Sequence, residues 1–470
     1  MSCKSCRSCQ SCKSEAAVKD LHDLHDLHDL HDLHDLHDLH DLHDLQDNHL
    51  TTFIIFLPKY ICNCRLHFIP LRIILFGIIP DGIKYRKMKT SPFIYGSTVS
   101  SRSFTNRTKE VKQLKSNLLG GTNTMIISPR RWGKSSLVEF VTDSLRKEHK
   151  NIRIAMIDLF TVNSAEEFLE KFAGEILKAS SSKWQEWIEL SRKIFRNIIP
   201  RIQVSMDPVS SFSISFDWEE LKKNSDEILS LPEKIAQEKK IKIIICLDEF
   251  QVIAGFDGYS EFEKKMRSIW QRQKLVTYCI YGSQRHMMTI IFNTPSLPFY
   301  RFGEIIMLPK IERDSWIVFI CEGFKNTGKN ITREESAMIA DLMQCHPWYV
   351  QQLAHYTWNL TGRSVTKTDI ITSLRELLNA NMPFYQNQIE RMSSTQINLL
   401  KAVAAGESQL TSSRVMNEFR LGTPRNVSKN KMTLINNDVI GESGRTYFFL
   451  DPAFEIWFRK AFLNEEFPAV

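Results

Sequence analysis

The stretch from Met125 to Leu137 constrains this chain's fold more than any other. Met125-Ile-Ile is a short apolar strand, Pro129 breaks it, and Gly133-Lys134-Ser135 stands at the head of a segment with helical spacing. Strand, turn and helix in that order leave backbone N–H groups and the positive end of a helix dipole pointing at one spot, where an anion is stabilised. The loop Ser128-Pro129-Arg130-Arg131-Trp132-Gly133-Lys134-Ser135-Ser136 therefore reads as a phosphate cradle. Lys134 is placed to reach the β- and γ-phosphate oxygens of a nucleotide, and the Ser135 hydroxyl to ligate Mg²⁺. Against G-x-x-x-x-G-K-[ST], Ser128 occupies the first glycine position, where glycine eases a tight turn. The bland alternative is a strand–turn–helix with an incidental Gly-Lys-Ser.

A second stretch supports the first. Lys242-Ile-Ile-Ile-Cys-Leu-Asp-Glu-Phe250 is an uninterrupted apolar run, as a central parallel strand covered on both faces requires. It ends in two carboxylates, at the strand end where open α/β sheets bind ligands. Asp248 is expected to hold Mg²⁺ through water and Glu249 to polarise the attacking water. A solvated strand end is the weaker alternative.

Around these motifs, strand and helix alternate. Phe104–Leu114 reads as an amphipathic helix, Ile152–Phe160 as a strand ending in Asp158, and Ser164-Ala-Glu-Glu as a capped helix start. A helix from Tyr259 to Lys274 and a strand from Val276 to Tyr281 follow, and Ser283 at that strand's end is placed to sense the γ-phosphate or orient water. A plain strand-terminating turn is the alternative for Ser283. Such alternation argues for a parallel sheet with helices on both faces. Residues 181–222 interrupt it with a helix over Trp184–Ile199 and hairpin-like segments at Ile202-Gln-Val and Ser211–Phe216.

Residues 1–87 are unlike the rest. Cys3, Cys6, Cys9 and Cys12 repeat every third residue, and Asp20–His43 is eight consecutive Asp-Leu-His units. Both patterns contain metal-binding side chains, yet a three-residue period is what a translated tandem nucleotide repeat produces, and it builds no apolar face on a helix or strand. Residues 53–79 are apolar but interrupted by charges and prolines, whereas a spanning helix needs roughly 20 largely uncharged residues. Translation is expected to start at Met88, where ordinary globular composition begins. The leader holds ten basic and twelve acidic side chains, so without it the net charge rises from +7 to +9. Of ten cysteines, Cys246, Cys279, Cys321 and Cys345 lie beyond it, without framework spacing, as reduced thiols in a cytoplasmic protein would.

Beyond Glu312 the pattern turns helical: Asp314–Gly323, Thr332–Cys345, Pro347–Leu360 and Lys367–Leu378 read as a lid over the site. The aromatics Trp348, Tyr349, Tyr356 and Trp358 read as lid core rather than as a base-binding box. The last 80 residues carry helices at Ser394–Ala405, Ser412–Phe419 and Pro424–Asn436, then a hairpin from Val439 to Leu450 turning at Ser443-Gly444. Three helices and a hairpin make a winged helix-turn-helix. Arg425, Lys429 and Lys431, in a span with no acidic residue, suit a recognition helix over DNA phosphates, and equally the solvated face of a protein-docking domain.

Phe104-x-x-Arg107-x-x-Glu110, the loop from Ser128 to Ser135, Leu247-Asp-Glu-Phe-Gln251, Gly282-Ser283 with His286-Met-Met, Pro298-Phe-Tyr-Arg301 and His346-Pro347-Trp-Tyr-Val-Gln-Gln-Leu353 occur in one order. Together they resemble the archaeal-type ATPases of the STAND division of P-loop NTPases, AAA+-like proteins, over most of residues 100–470. The resemblance implies an α/β fold with a parallel sheet of strand order 5-1-4-3-2, a helical lid and a C-terminal winged helix-turn-helix. It implies residues 88–310 as the ATPase domain, 311–385 as the lid and 386–470 as the winged helix. It also implies lid contact with nucleotide at His346 and Pro347, where Cys345 replaces the family's glycine. Arg301 is either an arginine finger, a second sensor or a solvated arginine. The expected activity is slow, Mg²⁺-dependent ATP hydrolysis driving a conformational switch. The alternatives are a DNA-binding regulator or defence component that uses ATP only to set its conformation, and a scaffold that holds nucleotide without turning it over. Expected partners are ATP or ADP, DNA or a protein at the winged helix, and a further copy of the chain, with no membrane.

Overall fold

The computed structural model describes residues 90–97, 107–181 and 224–466, together with Glu186, Glu189 and two short strands between them. Met88–Val470 is one compact unit, and the fold below is that unit's. The cysteine and Asp-Leu-His repeats, the apolar leader, the start at Met88, Phe104–Asn106 and most of the helix expected over Trp184–Ile199 lie outside the described residues.

Five parallel strands form the central sheet: β1 (Thr124–Ile127), β2 (Ile152–Asp158), β5 (Lys242–Asp248), β6 (Val276–Gly282) and β7 (Glu304–Met307). Their order is β2-β5-β6-β1-β7, which is 5-1-4-3-2 when these five are counted along the chain. All residues of β1 and β6 are buried, as a sheet covered on both faces demands. Successive side chains divide between two cores. Met125, Ile127, Ile245, Leu247, Tyr278 and Ile280 pack with Phe168 and Phe172 of α3 (Ala165–Ser180) and Trp270 of α6 (Tyr259–Trp270). Ile126, Ile244, Cys246, Cys279 and Tyr281 face the other way, onto α1 (Thr108–Gly120) and α2 (Lys134–Glu148). This two-residue alternation turns continuous apolar runs into a three-layer sandwich. The short strands β3 (Arg201–Gln203) and β4 (Ser213–Ser215) pair antiparallel, with Ile202 opposite Ile214, as the hairpin pattern predicts. Two helices, α4 (Ser225–Leu229) and α5 (Leu231–Lys239), lead back to β5.

After α7 (Arg285–Asn293) and β7 the chain is helical: α8 (Arg313–Asn326), α9 (Arg333–Leu342), α10 (Pro347–Leu360) and α11 (Lys367–Glu390). Thr332 and Thr366 close capping boxes with Glu335 and Asp369, fixing where α9 and α11 begin. The helix expected to end at Leu378 runs on to Glu390, carrying Pro383 inside it and crossing the expected 385/386 division. Packing outweighs the hydrogen bond that the proline removes: Leu374, Leu377, Leu378 and Tyr385 are buried in a core shared by lid and winged helix.

The winged helix comprises α12 (Ser394–Ala404), α13 (Ser413–Glu418), α14 (Pro424–Asn436) and the hairpin β8 (Ile440–Ser443) and β9 (Thr446–Phe449). Its two loop residues are Gly444 and Arg445, one step later than expected, with Gly444 at φ 62 taking the left-handed position. The closing helix α15 (Pro452–Leu463), unforeseen from the sequence, is capped by Asp451 and packs Phe454 and Phe458 into the shared core. Among the described residues no helix is long and apolar enough to cross a membrane.

Candidate nucleotide site

The loop between β1 and α2 needs two left-handed residues, and they are Arg131 (φ 63) and Gly133 (φ 86). Ser128 is not one of them, so a side chain at the first position of the motif brings no backbone strain. Ser128 is buried, and its carbonyl and hydroxyl turn toward Lys134. The ammonium donates to the carbonyls of Ser128 and Pro129, both at 2.9 Å. Burial pushes the Lys134 pKa down to about 8, against the opposing pull of Glu249 and Asp248. A buried ammonium that retains its charge at neutral pH, on carbonyls that a phosphate would replace, suits an anion. Arg107 braces the loop from behind, donating to the carbonyls of Trp132 at 2.9 Å and Pro309 at 3.0 Å.

The carboxylates arrive from the end of β5. The Ser135 hydroxyl donates to Asp248 Oδ2 at 3.1 Å, which brings together the two expected Mg²⁺ ligands from elements 113 residues apart. Hard oxygen donors of this kind suit Mg²⁺. Burial, and then the adjacent Glu249, raise the Asp248 pKa to about 6, as expected of a carboxylate poised for a cation. Glu249 itself has a left-handed backbone (φ 54), and its N–H donates to Asp248 Oδ1 at 2.8 Å. Its Oε2 accepts from Ser283 N at 3.1 Å and Ser283 Oγ at 2.8 Å, and from the Gln251 amide. Ser283 thus holds Glu249, and Gln251, which closes the Leu247–Gln251 motif without an expected role, joins it.

These groups line one end of a cavity of about 580 Å³. Arg130, Arg131, Gly133, Lys134, Ser135, Ser136, Asp248, Glu249, Ser283 and Pro347 all face it. Ser128, Pro129 and Trp132 lie behind it. Ile94, Tyr95, Trp348 and Gln351 add an apolar and aromatic recess at the other end, and Phe160 and Val252 line the cavity beside the carboxylates. Ile94 N donates to Gln351 Oε1 at 3.1 Å, and the Tyr95 and Trp348 rings meet edge-on at 6.0 Å. The Arg131 guanidinium lies 4.6 Å from the Trp348 ring centre. Trp348 therefore lines the cavity as well as packing against the lid core, whereas Tyr349 and Trp358 are buried as expected. Tyr95 is 253 residues from Trp348, and no local pattern could have paired them.

His346 and Arg301 lie apart from this group. His346 is buried with Nδ1 unpartnered, and it lines a second cavity of about 480 Å³ between the loop, the lid and the winged helix. Burial and two nearby cations push its pKa down to about 3, so it is neutral. Arg301 precedes β7, at the end of the sheet opposite the phosphate loop, and its guanidinium sits 5.3 Å from the Tyr300 ring. In the winged helix Arg425 and Lys429 are exposed, whereas Lys431 is engaged with the Tyr447 hydroxyl at 3.2 Å and Glu442 at 3.8 Å.

The loop also touches the winged helix. Arg130 Nε donates to Ser283 Oγ at 3.3 Å and stands 4.0 Å from Asp438, the residue before the hairpin. Arg131 donates to the Tyr349 hydroxyl at 3.2 Å, and that hydroxyl contacts Asp451, the cap of α15. One loop arginine thus reaches each end of the wing.

A family described as a probable winged helix domain matches residues 383–460. Among solved structures, the chain is similar to the Walker-type ATPase of Pyrococcus abyssi, at 15% identity and a TM-score of 0.56, covering 79% of this chain and 99% of that one. The ORC2 protein of Aeropyrum pernix, solved as ADPNP–ADP complexes, gives a TM-score of 0.47 at 12% identity, over 81% and 98% of the two chains. The fold is that of a P-loop ATPase with a C-terminal winged helix. No curated protein sequence matches the chain.

Proposed function

We propose that this chain binds ATP with Mg²⁺ and hydrolyses it slowly, as an archaeal-type ATPase of the STAND division. The observation that carries the reading is the convergence of Lys134, the Ser135–Asp248 pair and Glu249 at one end of a nucleotide-sized cavity. Lys134 and the loop N–H groups bind the β- and γ-phosphates, and Ser135 and Asp248 hold the metal. Bound Mg²⁺ supplies charge neutralisation on the phosphate oxygens. Glu249 accepts the proton of the attacking water as its oxygen bonds to the γ-phosphorus, while the bridging oxygen leaves with its electron pair on ADP. Tyr95 and Trp348 offer the base an aromatic recess.

The switch reading rests on Arg130 and Arg131. Both line the cavity, and both contact the lid or winged helix. A nucleotide that draws either arginine toward its phosphates withdraws it from Asp438 or Tyr349, which couples nucleotide to the wing's position. The exposed face of α14, with Arg425 and Lys429, is the surface offered to DNA. An arginine-finger role for Arg301 requires a second copy of the chain, since its own site is at the far end of the sheet. ATP titration with and without Mg²⁺, followed by phosphate release, tests the reading. Mg²⁺-independent binding with no release would overturn it.

A further inference from the structure

Gln251 is almost completely buried, one turn past the two carboxylates in the short 3₁₀ helix Phe250–Gly255. A buried primary amide normally satisfies both its ends, because an unpaired one costs about 1–3 kcal/mol. Here the Nε2 donates to Glu249 Oε2, and Oε1 is buried without a partner among the described residues. Hydrogen bonding therefore fixes only the Nε2 end of the amide, and the Oε1 end is placed by space.

That space is left by Gly282, the last residue of β6. A Cβ there would stand 2.0 Å from Gln251 Oε1 and 3.1 Å from its Cδ, so the amide occupies the volume that a side chain at 282 would take. The φ of Gly282 is not left-handed, so the backbone does not demand glycine. Space for Gln251 does. The next residue, Ser283, brings its N–H and hydroxyl to the same Glu249 oxygen. Oε2 therefore takes three donors, and Oε1 takes none from the described residues.

We propose that Gln251, seated in the space left by Gly282, is a positioning residue for Glu249: it shares in anchoring Oε2 so that Oε1 is presented to the water at the γ-phosphate. The inference rests on the ATPase reading above. A carboxylate on a rotatable side chain meets water productively only part of the time, and fixing one oxygen restricts the other to the needed direction. Gln251 acts through Glu249, so its loss is felt in turnover and hardly in binding.

The test uses the full chain, with ATP affinity, KM and kcat measured for each variant. Gln251→Met keeps the length of the side chain and removes the donor; kcat should fall about 10- to 100-fold with ATP affinity unchanged. Gly282→Ala should produce the same loss by displacing the amide, and the double variant should be no worse than the poorer single one. Gln251→Glu should be slow when its carboxyl is ionised beside Glu249 and recover, relative to wild type, as the pH is lowered and the acid regains a proton to donate. Wild-type kcat in Gln251→Met, or additive losses in the double variant, would overturn the proposal. Should Gln251→Met fail to bind ATP through misfolding, the pH profile of Gln251→Glu decides, a flat ratio to wild type being the contrary result. Equal rates in wild type and Glu249→Gln would instead remove the ATPase reading and this inference with it.

Discussion

The two ends of the cavity are built in opposite ways. The phosphate end comes from two strand termini, β1 and β5, whose loops carry their chemistry within a few residues of the strand: Lys134 and Ser135 on one, Asp248 and Glu249 on the other. The recess at the other end, and the wing behind the loop, are assembled from residues far apart in the chain, such as Tyr95 with Trp348 and Arg130 with Asp438. A rigid, buried sheet fixes the first. The second depends on half-exposed contacts between layers. On the proposed reading, the difference means that charge binding is preset by the sheet, while base contact and wing position rest on contacts that a nucleotide could alter.

The largest expected effect lies at the rigid end. Lys134→Ala should weaken ATP binding beyond about 100-fold, since a desolvated charge next to the phosphates is lost. Titration of a fluorescent ATP analogue would show it, and unchanged affinity would break the phosphate-loop assignment. At the recess, Trp348→Ala should weaken ATP about 10-fold while leaving kcat near wild type, the usual scale for one aromatic contact. A loss of kcat with unaltered affinity would mean that the two ends are not separable.

The phosphate end was legible because its geometry is local. An apolar run that stops at Asp248 and Glu249 announces a central strand and its functional end, and Gly133-Lys134-Ser135 announces a helix start. The strand order followed from the resemblance, and the parallel sheet from the alternation of strand and helix. Trp348 was read only as core, because an aromatic at helical spacing looks the same whether or not it also faces a cavity. His346 and Pro347 are adjacent in sequence, yet the start of α10 sends Pro347 to one cavity and His346 to the other. Asp438 and Asp451 were invisible because their partners come from other elements, and Gln251 was visible only as part of a motif, because the space it fills is left by Gly282 on β6. Lys431, by contrast, looked like a free cation and is held by Tyr447 and Glu442.

Smaller effects sharpen the contrast at the wing. Tyr349→Phe removes the hydroxyl between Arg131 and Asp451 and leaves a buried carboxyl short of one donor, which should cost about 1–3 kcal/mol of stability. Thermal unfolding would measure it, and ATP affinity should barely change. Asp438→Asn breaks only a 4.0 Å pair with a largely exposed arginine, so its stability cost should stay below about 1 kcal/mol. If the wing nonetheless responds to nucleotide through this pair, proteolytic sensitivity of the 436–446 region should no longer differ between ATP and ADP.

The pH dependence follows from two shifts at the phosphate end. Metal binding requires ionised Asp248, so below a pH of about 6 protons compete and Mg²⁺ affinity should fall as the pH is lowered. Phosphate binding requires charged Lys134, so above a pH of about 8 the free protein must take up a proton to bind, and ATP affinity should fall as the pH rises. Calorimetry in buffers of differing ionisation enthalpy would report proton release on metal binding near pH 6 and uptake on ATP binding above pH 8.

The central claim is that Glu249 is the proton acceptor of an ATPase whose phosphate end is complete within one chain. Single-turnover hydrolysis by wild type and Glu249→Gln, both loaded with ATP and Mg²⁺, tests it most directly. The substitution keeps size and hydrogen bonding but cannot take the proton, so ATP should bind equally well and be hydrolysed about 100-fold more slowly or worse. Equal rates in the two proteins would contradict the account.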